Sequence, residues 1–407
     1  VGIPTDAAAR FERFPIPASV REVVETISAA GHQAFLVGGC VRDVLRGEPP
    51  KDFDVATSAR PEAVQKLFRR VIPTGLEHGT VTVVVGKAHV EVTTFRAEAE
   101  YLDGRRPSKV EFHSDIEADL SRRDFTINAM AFDLVSKKLV DPFGGAADLE
   151  ARSIRCVRSA MERFLEDGLR PMRAVRFATV LGFSVEPETE AAIAQTLHVF
   201  RKVAGERVNQ EFSKMLLSPR VTLGLELAAR TGLLGEFLPE ATQADFSAVG
   251  RAAPELALRL AVLLSGTSPA QAIVLRLKFP SKVATDTGHL VAHHALPALD
   301  ATDADLRRWL SRVKVEFATP VLDVTDALGR GVPALRVRIE AQLAANPPLT
   351  TKALALNGQE VMSALGVGPS PVIGQATAWL LERVLDDPTL NTKEGLRRLL
   401  EGFSAAS

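Results

Sequence analysis

The sequence predicts an α+β protein: a head in which strands and helices alternate, followed by a long all-helical stretch. Three observations carry this. Up to about residue 150, short β-rich apolar runs alternate with helical signals. From about Ala151 the β-branched runs thin out, and Ala, Leu, Arg and Glu recur at helical spacing. Through that second region, prolines from Pro187 to Pro347-Pro348 fall at intervals that suit ordinary helices joined by short loops.

The elements follow in order. Ala34–Val37 is a short apolar run that predicts a strand, and Gly38-Gly39 ends it. Cys40–Leu45 then reads as a helix, Phe53–Ala56 as a strand and Pro61–Arg70 as a helix. Val81–Val85 and His89–Phe95 are β-rich runs joined at Gly86-Lys87, a hairpin signal. Thr126–Leu134 fits a helix or a strand by pattern alone. Gly168 and Pro171 both disfavour a helix interior, so the next helix is predicted to start at about Asp167 with Pro171 in its first turn.

Bulk properties bound the class. The 407 residues are 46% hydrophobic and 24% charged, an ordinary balance for a globular chain of two to four domains at roughly 100–200 residues each. No run of about 18 apolar residues is present to span a membrane, and no signal peptide opens the chain. Cys40 and Cys156 lie far apart without metal-ligand spacing, which fits a reducing cytoplasm. The net charge of −1 is mildly against a nucleic-acid binder. Local charge is uneven, however. Seven arginines, from Arg152 to Arg176, face only Glu162, Glu166 and Asp167. A solvated helix face is the bland reading; arginine so dominant over lysine, beside a chemical motif, favours phosphate or base recognition.

The sharpest chemical signal is Gly38-Gly39-Cys40-Val41-Arg42-Asp43 followed by Lys51-Asp52-Phe53-Asp54-Val55. Asp52 and Asp54 stand two apart on a predicted strand, so both carboxylates point the same way. Two carboxylates on one face repel unless a cation lies between them, and Mg²⁺ is held by one or two carboxylates plus substrate phosphates. The glycines let backbone approach a phosphate, the following helix offers its free N–H groups, and Arg42 adds a charge-assisted bond. Glu91 sits on another predicted strand and is a candidate third carboxylate; whether it binds metal is open here.

With these motifs the chain resembles the class II tRNA nucleotidyltransferases and bacterial poly(A) polymerases, within the polymerase-β-like superfamily. Arg122-Arg123-Asp124-Phe125-Thr126-Ile127-Asn128-Ala129 resembles a second family motif, in which the Arg-Arg-Asp element contacts phosphate and ribose. Asp141-Pro142-Phe143-Gly144-Gly145 resembles a third, a hinge between head and neck. Glu166-Asp167-Gly168-Leu169-Arg170 with Arg173 and Arg176 resembles a fourth. There the family's Asp and Arg, here Asp167 and Arg170, read the incoming base as a protein template, and Arg173 and Arg176 continue toward the triphosphate. Asp and Arg three apart on a helix lie on neighbouring faces, one accepting and one donating. Gly205-Glu206-Arg207-Val208 with Glu211 and Lys214 resembles a fifth motif that braces the neck.

The resemblance implies a polymerase-β-like head with a mixed β-sheet over 1–150, a helical neck with the template motif over 151–215, a helical body over 216–298 and a helical tail over 299–407 that binds tRNA. It implies template-independent addition of CCA to the tRNA 3′ end from CTP and ATP by a two-metal Mg²⁺ mechanism, with no membrane and no obligate protein partner. Asp52 and Asp54 are the expected catalytic and metal residues. Gly38, Gly39, Arg42, Arg122, Arg123, Asp124, Asp167, Arg170, Arg173 and Arg176 are the expected nucleotide-binding residues. Related outcomes share these motifs: A addition alone, CC addition alone, or poly(A) synthesis. Tyr101–Ser108 resembles the flexible loop that full CCA-adding enzymes keep and CC-adding ones largely lose. Ser265-Gly266 stands where some relatives carry a metal-binding His-Asp pair, so no phosphohydrolase activity is expected; His293-His294 read as surface or RNA-facing. A non-enzymatic relic would be expected to lose Asp52 or Asp54. An antibiotic-modifying transferase has no need of the template motif or the helical body.

Overall fold

The computed structural model describes residues 7–76, 79–97, 111–112 and 115–403. The loop expected at Tyr101–Ser108 lies outside the described residues, as do Glu77 and His78. The chain divides into two compact units, Val1–Thr242 and Gln243–Ser407.

In the first unit, up to residue 150, the described strands are β1 (Ala34–Val37), β2 (Asp54–Thr57), β3 (Val71–Gly75), β4 (Thr80–Val85), β5 (Ala88–Thr94), β6 (Arg96–Ala97), β7 (Glu111–Phe112), β8 (Ala131–Asp133) and β9 (Lys138–Val140). Seven of them form one sheet in the order β3-β4-β5-β2-β1-β8-β9, while β6 and β7 pair separately. The large sheet is mixed: β2 runs parallel to β5, and its other neighbouring pairs are antiparallel. The predicted hairpin is present. Val85 faces Ala88 across Gly86-Lys87, with Gly86 at φ 61°. The helix expected over Pro61–Arg70 is shorter, Pro61–Leu67, because Phe68 is extended and the chain turns into β3. The ambiguous stretch Thr126–Leu134 holds both kinds of structure, a 3₁₀ turn at Thr126–Asn128 and then β8.

One face of the sheet is sealed by Phe35, Val37, Ala56, Phe95, Ile116 and Leu120 with Ala131 and Val157. Each such Leu or Phe side chain contributes about 1.5–3 kcal/mol when fully buried. Helix Ala7–Arg13, which had no clear signal, lays Phe11 flat on Phe132 with ring centroids 3.8 Å apart.

Helices dominate the rest of this unit. The one predicted at Asp167 starts instead at Arg170 and runs to Leu181. Asp167 caps the C-terminus of the preceding helix, Ala160–Glu166, so Asp167 and Arg170 are not a pair on one helix. The turn between the two helices passes close to another segment: a Cβ on Gly168 would stand 2.7 Å from the Val199 carbonyl oxygen, so glycine fits there where a larger residue does not. Pro171 does lie in the first turn. Helix Gly205–Leu216 packs against Arg170–Leu181.

Among its described residues the second unit is helical. Capping boxes at Thr302 and Asn357 start helices Asp303–Val313 and Gly358–Leu365. Leu356, Val361, Leu380, Val384, Leu396 and Leu400 form a local core near the end. Ser265-Gly266 follows helix Leu256–Leu263. His293 and His294 are half-buried; His293 stacks on His289 at 4.2 Å, and both rings bond helix carbonyls of their own segment. No helix among the described residues is long and apolar enough to cross a membrane.

Candidate active site

The carboxylates come together through strand register. Asp54, the first residue of β2, faces Val37 of β1 on one side and Glu91 of β5 on the other. Neighbouring strands lie about 4.8 Å apart, so Asp54 and Glu91 present two acids side by side. Asp52 stands two residues ahead of the strand, in extended and exposed chain. It is therefore not the strand residue that the Asp-x-Asp spacing predicted, and it does not line the cavity described below. Burial, then the charge of Glu91, and further the charge of Asp52 push the pKa of Asp54 up against the opposing pull of Arg123. Asp54 and Glu91 are a carboxylate pair of the kind that holds Mg²⁺ together with substrate phosphates, so the residues present fit that ion, although no group of three or more possible metal ligands occurs among the described residues.

Beside the acids, β1 ends at Gly38, which caps helix Gly39–Arg46 at φ 71°. A Cβ there would stand 2.7 Å from Nη1 of Arg123, so the close approach of this arginine requires glycine. Arg42 projects from the first turn and donates to Oδ1 of Asn128 at 2.7 Å and to Asp43 at 2.9 Å.

These groups open on a cavity of about 470 Å³. Its walls include Gly38, Gly39, Arg42, Asp54 and Glu91 on the sheet side, and Arg122, Arg123, Asp124, Asp167, Arg170 and Arg173 on the other. Eleven of the expected site residues are thus brought together from five separate stretches of sequence. Arg176 is not among them: it is buried, bonded through Nε to Glu211 at 2.6 Å, with its guanidinium 3.4 Å from the centre of the Phe177 ring. It supports the wall rather than forming it.

The arginine run is solvated only in part, with Arg152 and Arg158 exposed. Arg163, Arg170 and Arg176 are buried. Each basic group at the cavity is held by an acid or a carbonyl. Asp119, buried, accepts from Arg122 at 2.6 Å and Arg123 at 3.3 Å. Burial alone would raise the pKa of Asp119, but the two guanidiniums outweigh it and hold it below the usual range. Asp124 accepts from Arg173 at 2.6 and 2.7 Å, from Asn128 at 3.3 Å and from the Phe125 N–H at 2.8 Å. Its burial is likewise outweighed by Arg173 and Arg170, and its pKa falls to about 2. Arg170 donates to Glu166 at 2.6 Å and to the carbonyls of Arg163 and Arg122 at 2.8 and 3.0 Å. Asp167 accepts from Leu169 N–H at 3.0 Å and from Arg207 at 2.7 Å, leaving lone pairs toward the cavity.

Asn128, Asp119 and Phe177 were not singled out in the sequence as site residues. Asn128 had a signal, since it falls inside the Arg-Arg-Asp motif. Asp119 had none, although its partners Arg122 and Arg123 follow only three and four residues on. Phe177 directly follows Arg176 at the end of the fourth motif, but its role depends on the fold: Arg42 and Arg173 each lie 5.4 Å from its ring centre.

Comparison with known proteins agrees with this geometry. Residues 34–155 match the family model of the poly A polymerase head domain, and residues 182–245 match one described as a probable RNA and SrmB-binding site of polymerase A. The CCA-adding enzyme of Lactiplantibacillus plantarum is 37% identical over 394 residues, covering 93% of this chain and 94% of that protein. The CCA-adding enzyme of Geobacillus stearothermophilus is 36% identical, covering 91% and 93%. The crystal structure of the Bacillus stearothermophilus CCA-adding enzyme in complex with CTP superposes with a TM-score of 0.79 at 32% identity, covering 95% of this chain and 98% of that one. The Thermotoga maritima CCA-adding enzyme complexed with tRNA shares the fold, with a TM-score of 0.70 at 19% identity. With a head and neck assembled around one acidic and arginine-lined cavity, and with identity above 35% over nearly its whole length, this chain belongs to the family of CCA-adding enzymes, the tRNA nucleotidyltransferases built on a poly(A) polymerase head.

Proposed function

We propose that the chain adds C, C and A in turn to the 3′ end of tRNA, taking CTP and ATP as substrates and releasing pyrophosphate. The observation that carries this is the cavity itself: acids on one wall, arginines on the other, and an Asp–Arg pair, Asp167 and Arg170, on the same rim. The curated relatives and the CTP-bound structure point to the same substrates.

Asp54, with Asp52 and Glu91 at hand, holds Mg²⁺. The metal supplies activation of the 3′-hydroxyl and neutralisation of the pyrophosphate leaving group. The chain's own residues do the rest. Gly38 and Gly39 bring backbone N–H groups and a helix start to the phosphates. Arg42, Arg122 and Arg123 face the triphosphate charge, fixed in place by Asn128 and Asp119. Asp124 spends its oxygens on Arg173, Asn128 and Phe125 N–H, so its role is to fix that corner as well as to meet the ribose. Asp167 accepts and Arg170 donates. Cytosine and adenine each present a donor amine beside an acceptor nitrogen, which this pair complements. Uracil and guanine present the reverse order and leave buried polar groups unpaired. Arg176 acts through Glu211 and Phe177.

We divide the chain functionally into a head over 1–150, a neck over 151–215, a body over 216–298 and a tail over 299–407, the tail engaging tRNA through backbone and shape. We place the reaction in the cytoplasm; both cysteines are free and buried, and burial pushes each thiol up to about 12. The test uses three tRNA transcripts, ending before the first C, after one C and after two. Extension of all three by CTP plus ATP supports the reading. Extension of the last alone, by ATP only, replaces it with A addition, and long A tails on any RNA replace it with poly(A) synthesis.

A further inference from the structure

Helices Gly39–Arg46 and Arg170–Leu181 both begin at the cavity described above, and both end at another. This second cavity, of about 380 Å³, lies wholly within the first unit and is lined by Arg46, Arg152 and Arg220 with one acid, Glu48. An eight-residue helix at 1.5 Å per residue separates the two by roughly 12 Å.

The arginines here are not consumed as those of the first cavity are. The side chain of Arg152 makes no hydrogen bond or ion pair among the described residues. Its backbone sits at φ 52°, in the left-handed region that a non-glycine residue seldom adopts. Arg220 makes one long bond, 3.4 Å to the Val180 carbonyl. Arg46 reaches Asp43 only at 3.7 Å. Two helix C-termini contribute about half a negative charge each, and Glu48 one more, so roughly −2 stands against three full positive charges. A net positive concavity walled by guanidinium groups is matched by a singly or doubly charged oxyanion, and guanidinium forks fit phosphate.

We propose that this cavity binds a phosphate ester, either a backbone phosphate of an RNA strand or the phosphate of a free nucleotide. The site is separate from the nucleotide-transfer cavity, and none of its residues takes part in the reaction proposed above. The test uses the full chain and the variants Arg152→Gln, Arg220→Gln and the double substitution. The probes are a tRNA transcript lacking its 3′ end and 5′-AMP, titrated at several salt concentrations. If the phosphate belongs to RNA, the double variant binds the transcript about tenfold or more weakly, and the slope of log affinity against log salt falls by roughly 0.7–0.9 per lost contact. Transfer at saturating RNA stays unchanged. If the phosphate belongs to a free nucleotide, native protein binds 5′-AMP at a site that the double variant lacks, with RNA affinity unaltered. Unchanged binding of both probes overturns the proposal. Arg152→Gln removes a side chain with no internal partner, so it keeps the native melting temperature and carries the test even where Arg220→Gln disturbs packing.

Discussion

Asp124 and Arg173, 49 residues apart in sequence, are joined by two contacts of 2.6 and 2.7 Å to a single carboxylate oxygen. The acid is buried, so removing either partner leaves an uncompensated charge behind. Asp124→Ala or Arg173→Ala is expected to cost about 3–5 kcal/mol. For a unit of this size that lowers Tm by on the order of 10 °C. Thermal melts followed by circular dichroism check this, and a loss under about 1 kcal/mol in both variants removes the pair from the list of structural supports.

The same acid sets an acid-denaturation limb. Its folded pKa of about 2 lies below the ordinary 3.8, so it contributes stability that is fully present above the ordinary value and is lost as pH falls toward 2. Asp124→Asn therefore flattens the stability curve between about pH 4 and 2. An unchanged slope there would show that other carboxylates carry the limb.

Asp54 works in the opposite sense. Its pKa is raised by burial and by Glu91 and Asp52, so its charge destabilises the metal-free fold above that pKa. Asp54→Asn is expected to melt higher than the native chain at pH 7 without metal, and the gain shrinks as pH falls and the native acid takes up its proton. Millimolar MgCl₂ raises the native Tm and leaves the variant unmoved. A magnesium response of equal size in both proteins would detach the metal from Asp54.

If Asp52 and Asp54 hold the metal as proposed, transfer depends on them. Asp54→Ala and Asp52→Ala are each expected to lower kcat more than about 100-fold, a loss of several kcal/mol of transition-state stabilisation, with the fold retained. Single-turnover assays with saturating CTP decide it, and near-native rates in either variant exclude that residue as a metal ligand.

If Asp167 reads the base as proposed, base choice rests on how its carboxylate is held. Its partner Arg207 is only part-buried, so Arg207→Ala should be mild in stability. It frees the carboxylate that faces the base, and discrimination of CTP over UTP should fall roughly tenfold, about 1.4 kcal/mol. Unaltered discrimination, with triphosphate affinity intact, would detach Asp167 from base reading.

Local chemistry was the legible part of this protein. The Gly38-Gly39 turn, the hairpin at Gly86-Lys87 and the acid at Asp54 are written in adjacent residues, and each stands where its pattern predicted. Pairings across the chain were not legible. Nothing in the order of residues places β2 parallel to β5, yet that register alone sets Asp54 beside Glu91. Helix periodicity likewise does not show that the helix begins at Arg170 and not at Asp167, and the close approach of the Val199 carbonyl to Gly168 comes from another segment. The arginine run read as a surface for phosphates and bases, but its internal pairing was not legible for the same reason: Asp124 and Glu211 neutralise Arg173 and Arg176 from a distance in sequence.

The ion pairs across residue 150 limit how this protein can be dissected. A fragment ending there would keep Asp124 and lose Arg173, and its Ser121 carbonyl would lose the donor on Arg163. Asp54 and Glu91 would remain on their strands while the opposite wall of their pocket lost its supports. Both partners of each of these bonds lie within the unit Val1–Thr242, so exchanging only the first 150 residues between enzymes breaks them unless the segment through Arg173 travels with it.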